Sequence, residues 1–255
     1  MTTFGAGIRL ALTTLSVLPA TPADRAPDRA DARVAMSVAP AIGGLIGLIA
    51  GAIGVGLLAL GTTSLVAAAV AVGAGALLTR GLHLDGLADT ADGLGSYGGR
   101  DRALEIMRKP DVGPFGVATL VLVLVVQVAA ASAILGRAWW VALAGIAAAF
   151  ATGRLAIALG CRRGVPAARP EGLGALVAGT VGRFALAVSV VATAVVAMIA
   201  TPGELWAGPV AVVVGLAAAW GLRRHAVRRL GGVTGDVLGA MCEVSATVTY
   251  VVLSM

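Results

Sequence analysis

Residues 34 to 79 contain no charged side chain, a run far longer than the ~20 residues that one bilayer crossing needs. The turn residues Gly61-Thr62-Thr63-Ser64 divide it into two helices. Further apolar runs lie at about 115–136, 138–160, 184–203, 205–222 and 236–255. A first run, 4–20, is interrupted by Arg9 and either spans or lies in the interface. The pattern predicts an all-α, polytopic integral membrane helix bundle of seven to eight helices. It is expected to be a single membrane domain over 1–255, because no polar segment is large enough to fold alone. Gly43, Gly44, Gly47, Gly51, Gly54 and Gly56 mark the first hairpin, as small residues do where helices pack closely in lipid.

Composition sharpens this picture. Hydrophobic residues make up 58% and charged residues 13% of the chain, which excludes an ordinary soluble domain. The formal charge of +6 would suit nucleic acid, but its placement points elsewhere. The basic residues fall at Arg25/Arg29/Arg33, in the 80–109 segment, at Arg162/Arg163/Arg169/Arg183 and at Arg223/Arg224/Arg228/Arg229. The alternate connections carry between them only Arg137 and Glu204. The positive-inside rule therefore places every long loop on the cytoplasmic face and the C-terminus outside. The start lacks a basic n-region and a cleavage site, so no signal peptide is expected. Cys161 and Cys242 lie near cytoplasmic helix ends, where no disulfide is expected, and no CxxC or His cluster supports zinc.

Within this charge-poor chain, six of the thirteen carboxylates fall between Asp85 and Asp111. Asp85, Asp89 and Asp92 are spaced i, i+4, i+7, within roughly 60° of one another on a helix. Most such stripes are solvated faces, but this one has no Lys or Arg at i±4. Two carboxylates ~6 Å apart repel by roughly 3 kcal/mol at an effective dielectric of ~20. A divalent cation, distant basic side chains or protonation must offset that cost, and hard oxygen ligands suit Mg²⁺. His83 points off the stripe, as a general base or as a packing residue. The segment Gly95-Ser96-Tyr97-Gly98-Gly99-Arg100 reads as a flexible turn whose amides can cradle phosphate. Asp101 to Lys109 reads as a short helix stopped by Pro110, with Arg102, Arg108 and Lys109 either solvated or binding anionic oxygens. Arg154, about six residues from the end of its run, either snorkels or pairs with the stripe or with a phosphate. The loop 161–183 either sets topology or holds a polyphosphate opposite the acids. Asp236 and Glu243 are again seven apart and enter from the same side as the stripe. Two acidic faces on one side of the membrane predict one convergent site.

Several blocks carry a resemblance. The run His83-Leu84-Asp85-Gly86-Leu87-Ala88-Asp89-Thr90-Ala91-Asp92-Gly93 closely resembles the signature of the adenosylcobinamide-GDP ribazoletransferases, or cobalamin synthases. So do Ala103 to Arg108 with Gly113 and Gly116, and Gly231 to Ala240 with Glu243. Ile42–Gly51, Gly153-Arg154 and Glu171-Gly172-Leu173-Gly174 are fainter echoes, and the likeness spans nearly the whole chain. One departure stands out: where the family often has an Arg before the proline near the end of its first helix, this chain reads Thr14 to Pro19, so that role is either absent or passes to Arg25.

The resemblance implies that adenosylcobinamide-GDP reacts with α-ribazole, or its 5′-phosphate, to give adenosylcobalamin (or its phosphate) and GMP, with Mg²⁺ as cofactor, in the bacterial inner membrane. Asp85, Asp89, Asp92 and His83 are the candidate catalytic residues, and Asp85, Asp89, Asp92, Asp236 and Glu243 the candidate metal ligands. Arg102, Glu105, Arg108, Arg154 and Thr234 are the candidate substrate contacts. The expected partners are the two substrates, the lipid bilayer and, as an option, further copies of the chain, with no nucleic acid. Two other classes match part of the pattern. A CDP-alcohol phosphotransferase or prenyltransferase also uses paired acidic motifs, but Asp89-x-x-Asp92-Gly93 only begins the former pattern. A secondary transporter would place its carboxylates nearer the midplane and show an internal repeat.

Overall fold

In a computed structural model, residues 2–20 and 25–255 are described, and the part of the predicted connector at 21–24 lies outside them. The described residues form eleven helices and no strand, apart from two isolated bridges, Arg162 with Val181 and Ala167 with Val233. In order they are α1 (Thr3–Leu15), α2 (Arg29–Ala59), α3 (Ser64–Leu78), α4 (Leu82–Gly95), α5 (Arg100–Ile106), α6 (Pro114–Leu135), α7 (Trp139–Gly160), α8 (Leu173–Val177), α9 (Arg183–Ile199), α10 (Ala207–Leu230) and α11 (Gly235–Leu253).

Each of the eight predicted apolar runs forms a helix, and α4, α5 and α8 are added between them. Five helices, α2, α6, α7, α10 and α11, are long and apolar enough to cross a membrane, so the chain is a multi-pass membrane protein. α1 has 13 residues, about 20 Å, short of the ~30 Å hydrocarbon thickness. Its length favours the interfacial alternative. α2 begins five residues before the uncharged run, because Asp28 and Asp31 form a reciprocal capping box. α3 and α4 together form a sixth apolar stretch broken by an 89° bend. Arg80 (φ 55°) and Gly81 (φ 67°) both sit in the left-handed region at that break, which turns α4 off the line of α3 and out of the five spans.

α7 is apolar nearly all round and buried along almost its whole length, as a central helix should be. α2 runs antiparallel to it at close range. A Cβ on Gly43 would stand 2.6 Å from the Phe150 carbonyl oxygen, and one on Gly47 2.7 Å from Ala147 Cα. Gly43, Gly47, Gly51 and Gly54 are thus packing residues, whereas Gly56 has open space around it. α11 lies on another side of α7, with Gly153 against Cys242 and Gly160 against Leu238. α10 covers α11 through Gly215, which meets Ser245 and Thr249. These antiparallel pairs gather the start of α11, the ends of α7 and α10, and all of α4 at one end of the bundle.

Candidate active site

α4 and α11 meet backbone to backbone. A Cβ on Gly86 would lie 2.7 Å from the Asp236 carbonyl oxygen, and one on Gly239 would lie 3.2 Å from His83 Cα. Gly86 follows Asp85 directly, so this crossing brings the Asp85–Asp89 face of α4 to the first turn of α11. Thr234 caps α11 by accepting from the Val237 amide at 3.2 Å, and its hydroxyl donates to Asp236 Oδ2 at 3.1 Å. Thr234 therefore orients Asp236. Burial first, then the carboxylates of Asp85, Asp236 and Asp92, push the Asp89 carboxyl up to about 6, with Arg169 opposing. Asp85, Asp89 and Asp236 make one acidic cluster drawn from two motifs. Asp85, Asp236 and His83 line a cavity of about 210 Å³ closed by α1, Met36 and Leu173.

The loop 161–183 supplies the counter-charge. It docks through backbone bonds from Val233 N to the Pro166 carbonyl (2.9 Å) and from Ala168 N to the Val233 carbonyl (2.9 Å). Arg100 ties the same junction by donating to the Leu230 and Ala168 carbonyls at 2.8 and 2.9 Å. Arg169 is thereby held between α5 and α11. Its Nη2 donates to the Leu104 carbonyl at 2.8 Å, while Nη1 stands 3.9 Å from Asp236 Oδ2. Its buried Nε has no hydrogen-bond partner among the described residues. A cavity of about 130 Å³ beside it is lined by Glu171-Gly172-Leu173-Gly174 and Val233-Thr234-Gly235-Asp236, so two motifs far apart in sequence share one wall. Arg169 was not among the candidate site residues. Its signal was its place two residues before Glu171-Gly172-Leu173-Gly174, in a loop whose other arginines obscured it.

The remaining candidates disperse. Asp92 is buried and accepts from the Gly113 amide (2.7 Å) and the Gly116 amide (2.9 Å) at the start of α6. Either glycine, given a Cβ, would collide with that carboxylate. Asp92 thus serves as a buried cap for α6. Glu243 lies two turns below Asp236, about 10 Å along the axis, and accepts from Gln127 Nε2 at 2.8 Å. Around it sit His83 and Cys242, whose ligand atoms and those of Glu243 fall within 4.8 Å of one another. Residues distant in sequence thus form a His-Cys-Glu group that spacing did not reveal. Arg154 is 2% exposed and stacks on Phe150 at 4.9 Å, so it neither snorkels nor meets the stripe. The one expected acidic site is therefore two layers, an outer Asp85/Asp89/Asp236 cluster with Arg169 and an inner one around Glu243 and Arg154. Neither ring nitrogen of His83 has a hydrogen-bond partner among the described residues.

Arg102 and Glu105 pair with each other at 2.9 Å on the surface of α5. Arg108 stands 3.9 Å from Glu171 at the rim of the smaller cavity. Arg25 donates from Nη2 to Asp31 Oδ1 at 2.9 Å, with Nη1 2.7 Å from the other Asp31 oxygen and 3.3 Å from Asp28, so it braces the start of α2.

The family model described as cobalamin-5-phosphate synthase matches residues 7–254. Among relatives named adenosylcobinamide-GDP ribazoletransferase, the chain is similar to one from Frankia casuarinae at 42% identity, covering 97% of this chain and 94% of the relative. One from Corynebacterium efficiens is 38% identical over 96% and 90% of the two chains, and one from a Nocardioides species is 39% identical over 94% and 95%. No solved structure matches.

Proposed function

The chain belongs to the cobalamin-5-phosphate synthase family, and from that premise we propose that it joins adenosylcobinamide-GDP to α-ribazole, or to α-ribazole 5′-phosphate, and releases GMP. The observation that carries the chemistry is the convergence of Asp85 and Asp89 with Asp236 across the Gly86 crossing. The hard oxygen donors of Asp85 and Asp236, with Asp89 beside them and Arg169 as counter-charge, fit Mg²⁺. When bound there, Mg²⁺ would neutralise diphosphate oxygens and the charge that builds on the leaving GMP.

The protein's own groups do the rest. A ribose hydroxyl oxygen of α-ribazole attacks the phosphorus on the cobinamide side. The new phosphodiester forms as the bond from that phosphorus to the bridging oxygen breaks, and GMP departs with that oxygen. Asp89, whose carboxyl is pushed up to about 6 in the metal-free protein, accepts the hydroxyl proton while Asp85 and Asp236 would hold the cation. Arg169 holds the diphosphate, its unpartnered Nε and its distance from Asp236 leaving donors free. Positioning and charge dominate such a reaction. The arginine-rich connections around the site support a site that faces the cytoplasm from the bacterial inner membrane.

The reaction is tested in liposomes given adenosylcobinamide-GDP, α-ribazole and Mg²⁺. GMP and corrinoid product should appear in equal amounts, and both should stop with EDTA. GMP without a cobalamin product, or pyrophosphate in its place, would refute the assignment.

A further inference from the structure

The end of the bundle that holds the acidic cluster also holds a cavity of opposite sign. It encloses about 240 Å³ between the exit of α7 and the end of α10, and among the described residues its charged lining is Arg162, Arg223, Arg224 and Arg228, with no carboxylate. Arginines at such a position have ordinary reasons to be there: the positive-inside bias and the negative end of the α10 dipole. Those reasons apply to side chains that reach water, as Arg162 and Arg224 do. They do not apply to Arg223. That residue is 5% exposed, its Nη1 is buried without a hydrogen-bond partner among the described residues, and it feels the like charges of Arg162 and Arg224. A buried guanidinium N–H without an acceptor is costly, and natural structures rarely leave one.

We propose that this cavity is an anion site for a phosphoryl group, closed by Arg223 from below and by Arg162, Arg224 and Arg228 at its rim. Planar guanidinium forks suit phosphate oxygens, and several around one cavity supply charge-assisted bonds. The volume is below the ~300–1,000 Å³ of pockets that enclose drug-sized ligands, so it takes a head group rather than a whole nucleotide. Two sources carry that chemistry. Arg224 stacks on the exposed Trp220 at 4.7 Å, an aromatic–arginine pair suited to the membrane boundary, which brings an anionic phospholipid head within reach. A soluble phosphate offers the same oxygens. Pro166 lines this cavity and also accepts the Val233 amide at 2.9 Å, so an occupant would brace the loop that carries Arg169. The site is separate from the acidic cluster and does not depend on the reaction proposed above.

The test uses the full-length protein in nanodiscs with EDTA present. One arm compares phosphatidylcholine discs with discs that contain phosphatidylglycerol and counts retained lipids by native mass spectrometry. The other titrates inorganic phosphate into phosphatidylcholine discs by calorimetry. The wild type should retain one phosphatidylglycerol, or bind one phosphate saturably, and the arm that responds identifies the source. Arg223→Gln should weaken that binding by about 10-fold or more. Arg162→Gln, at the exposed rim, should weaken it less and provides the same reading if Arg223→Gln does not fold. Arg163→Gln, outside the cavity, should bind as the wild type does. No saturable binding in either arm, or equal binding by Arg223→Gln or, if that variant does not fold, by Arg162→Gln, would overturn the proposal.

Discussion

Replacing Asp92 by Asn separates a capping carboxylate from a metal ligand. Asp92 accepts one backbone amide on each oxygen, Gly113 at 2.7 Å and Gly116 at 2.9 Å, and only 8% of the residue is exposed. Asn keeps one acceptor oxygen and turns an NH₂ toward the other amide. The change removes one charge-assisted bond and leaves a buried donor unsatisfied, each about 1–3 kcal/mol. It also removes a favourable charge from the α6 N-terminus, about 0.3–1 kcal/mol. With partial relaxation the cost is about 2–4 kcal/mol, or a fall in melting temperature on the order of 10 °C for a chain of this size. The assay is thermal unfolding in detergent, followed by far-UV circular dichroism, beside Mg²⁺ binding measured below the transition. The cap account predicts a clear loss of stability with Mg²⁺ affinity changed less than threefold. Unchanged stability with Mg²⁺ binding abolished would refute it and restore Asp92 to the metal site.

Other consequences follow from the same geometry. Arg169→Gln should raise the KM for adenosylcobinamide-GDP about tenfold or more with a smaller change in Mg²⁺ affinity, since Arg169 faces both Asp236 and the open cavity; an unchanged KM would remove it from the diphosphate. Gly86→Ala should force α4 off α11, because its Cβ would lie 2.7 Å from the Asp236 carbonyl oxygen, and turnover should fall at least tenfold even where the protein folds; full turnover would deny the crossing its role. Mg²⁺ affinity should weaken as pH falls through about 6, where Asp89 takes up a proton. The sign for metal-free stability is the reverse: the raised carboxyl favours the folded state below its ordinary range near 4, and that contribution is lost as pH rises through about 6. Paired titrations of Mg²⁺ binding and of unfolding between pH 5 and 7 check both directions, and a pH-independent affinity would contradict the assignment of Asp89.

Much of this was legible in the chain because membrane helices announce themselves. The eight apolar runs became helices, and the i, i+4, i+7 stripe lies on α4. The roles within the stripe were hidden, because the partners that distinguish Asp92 from Asp89 lie on α6. Gly113 and Gly116 were visible in the resemblance, but not their purpose, which is to admit the Asp92 carboxylate. Asp236 and Glu243 share a face, as their spacing required, yet the rise of the helix puts Glu243 beside Gln127 while Asp236 remains at the outer site. The bend after α3 depends on two left-handed residues, only one of them the glycine that a sequence would flag. Arg169 is fixed by a backbone docking between 166–168 and Val233, a long-range contact that leaves no local trace. Arg102 and Glu105, three apart on one helix, neutralise each other, and that much was readable.

The central claim is that Asp85 and Asp89 of α4 and Asp236 of α11 act as one cation-dependent centre. The most direct measurement is GMP release against Mg²⁺ concentration for the wild type and for Asp236→Asn, reconstituted with both substrates. A shared centre predicts that Asp236→Asn loses at least 100-fold in turnover at low Mg²⁺ while unfolding at the wild-type temperature or above. Full turnover by Asp236→Asn with an unchanged Mg²⁺ dependence would mean that the two motifs meet for packing alone.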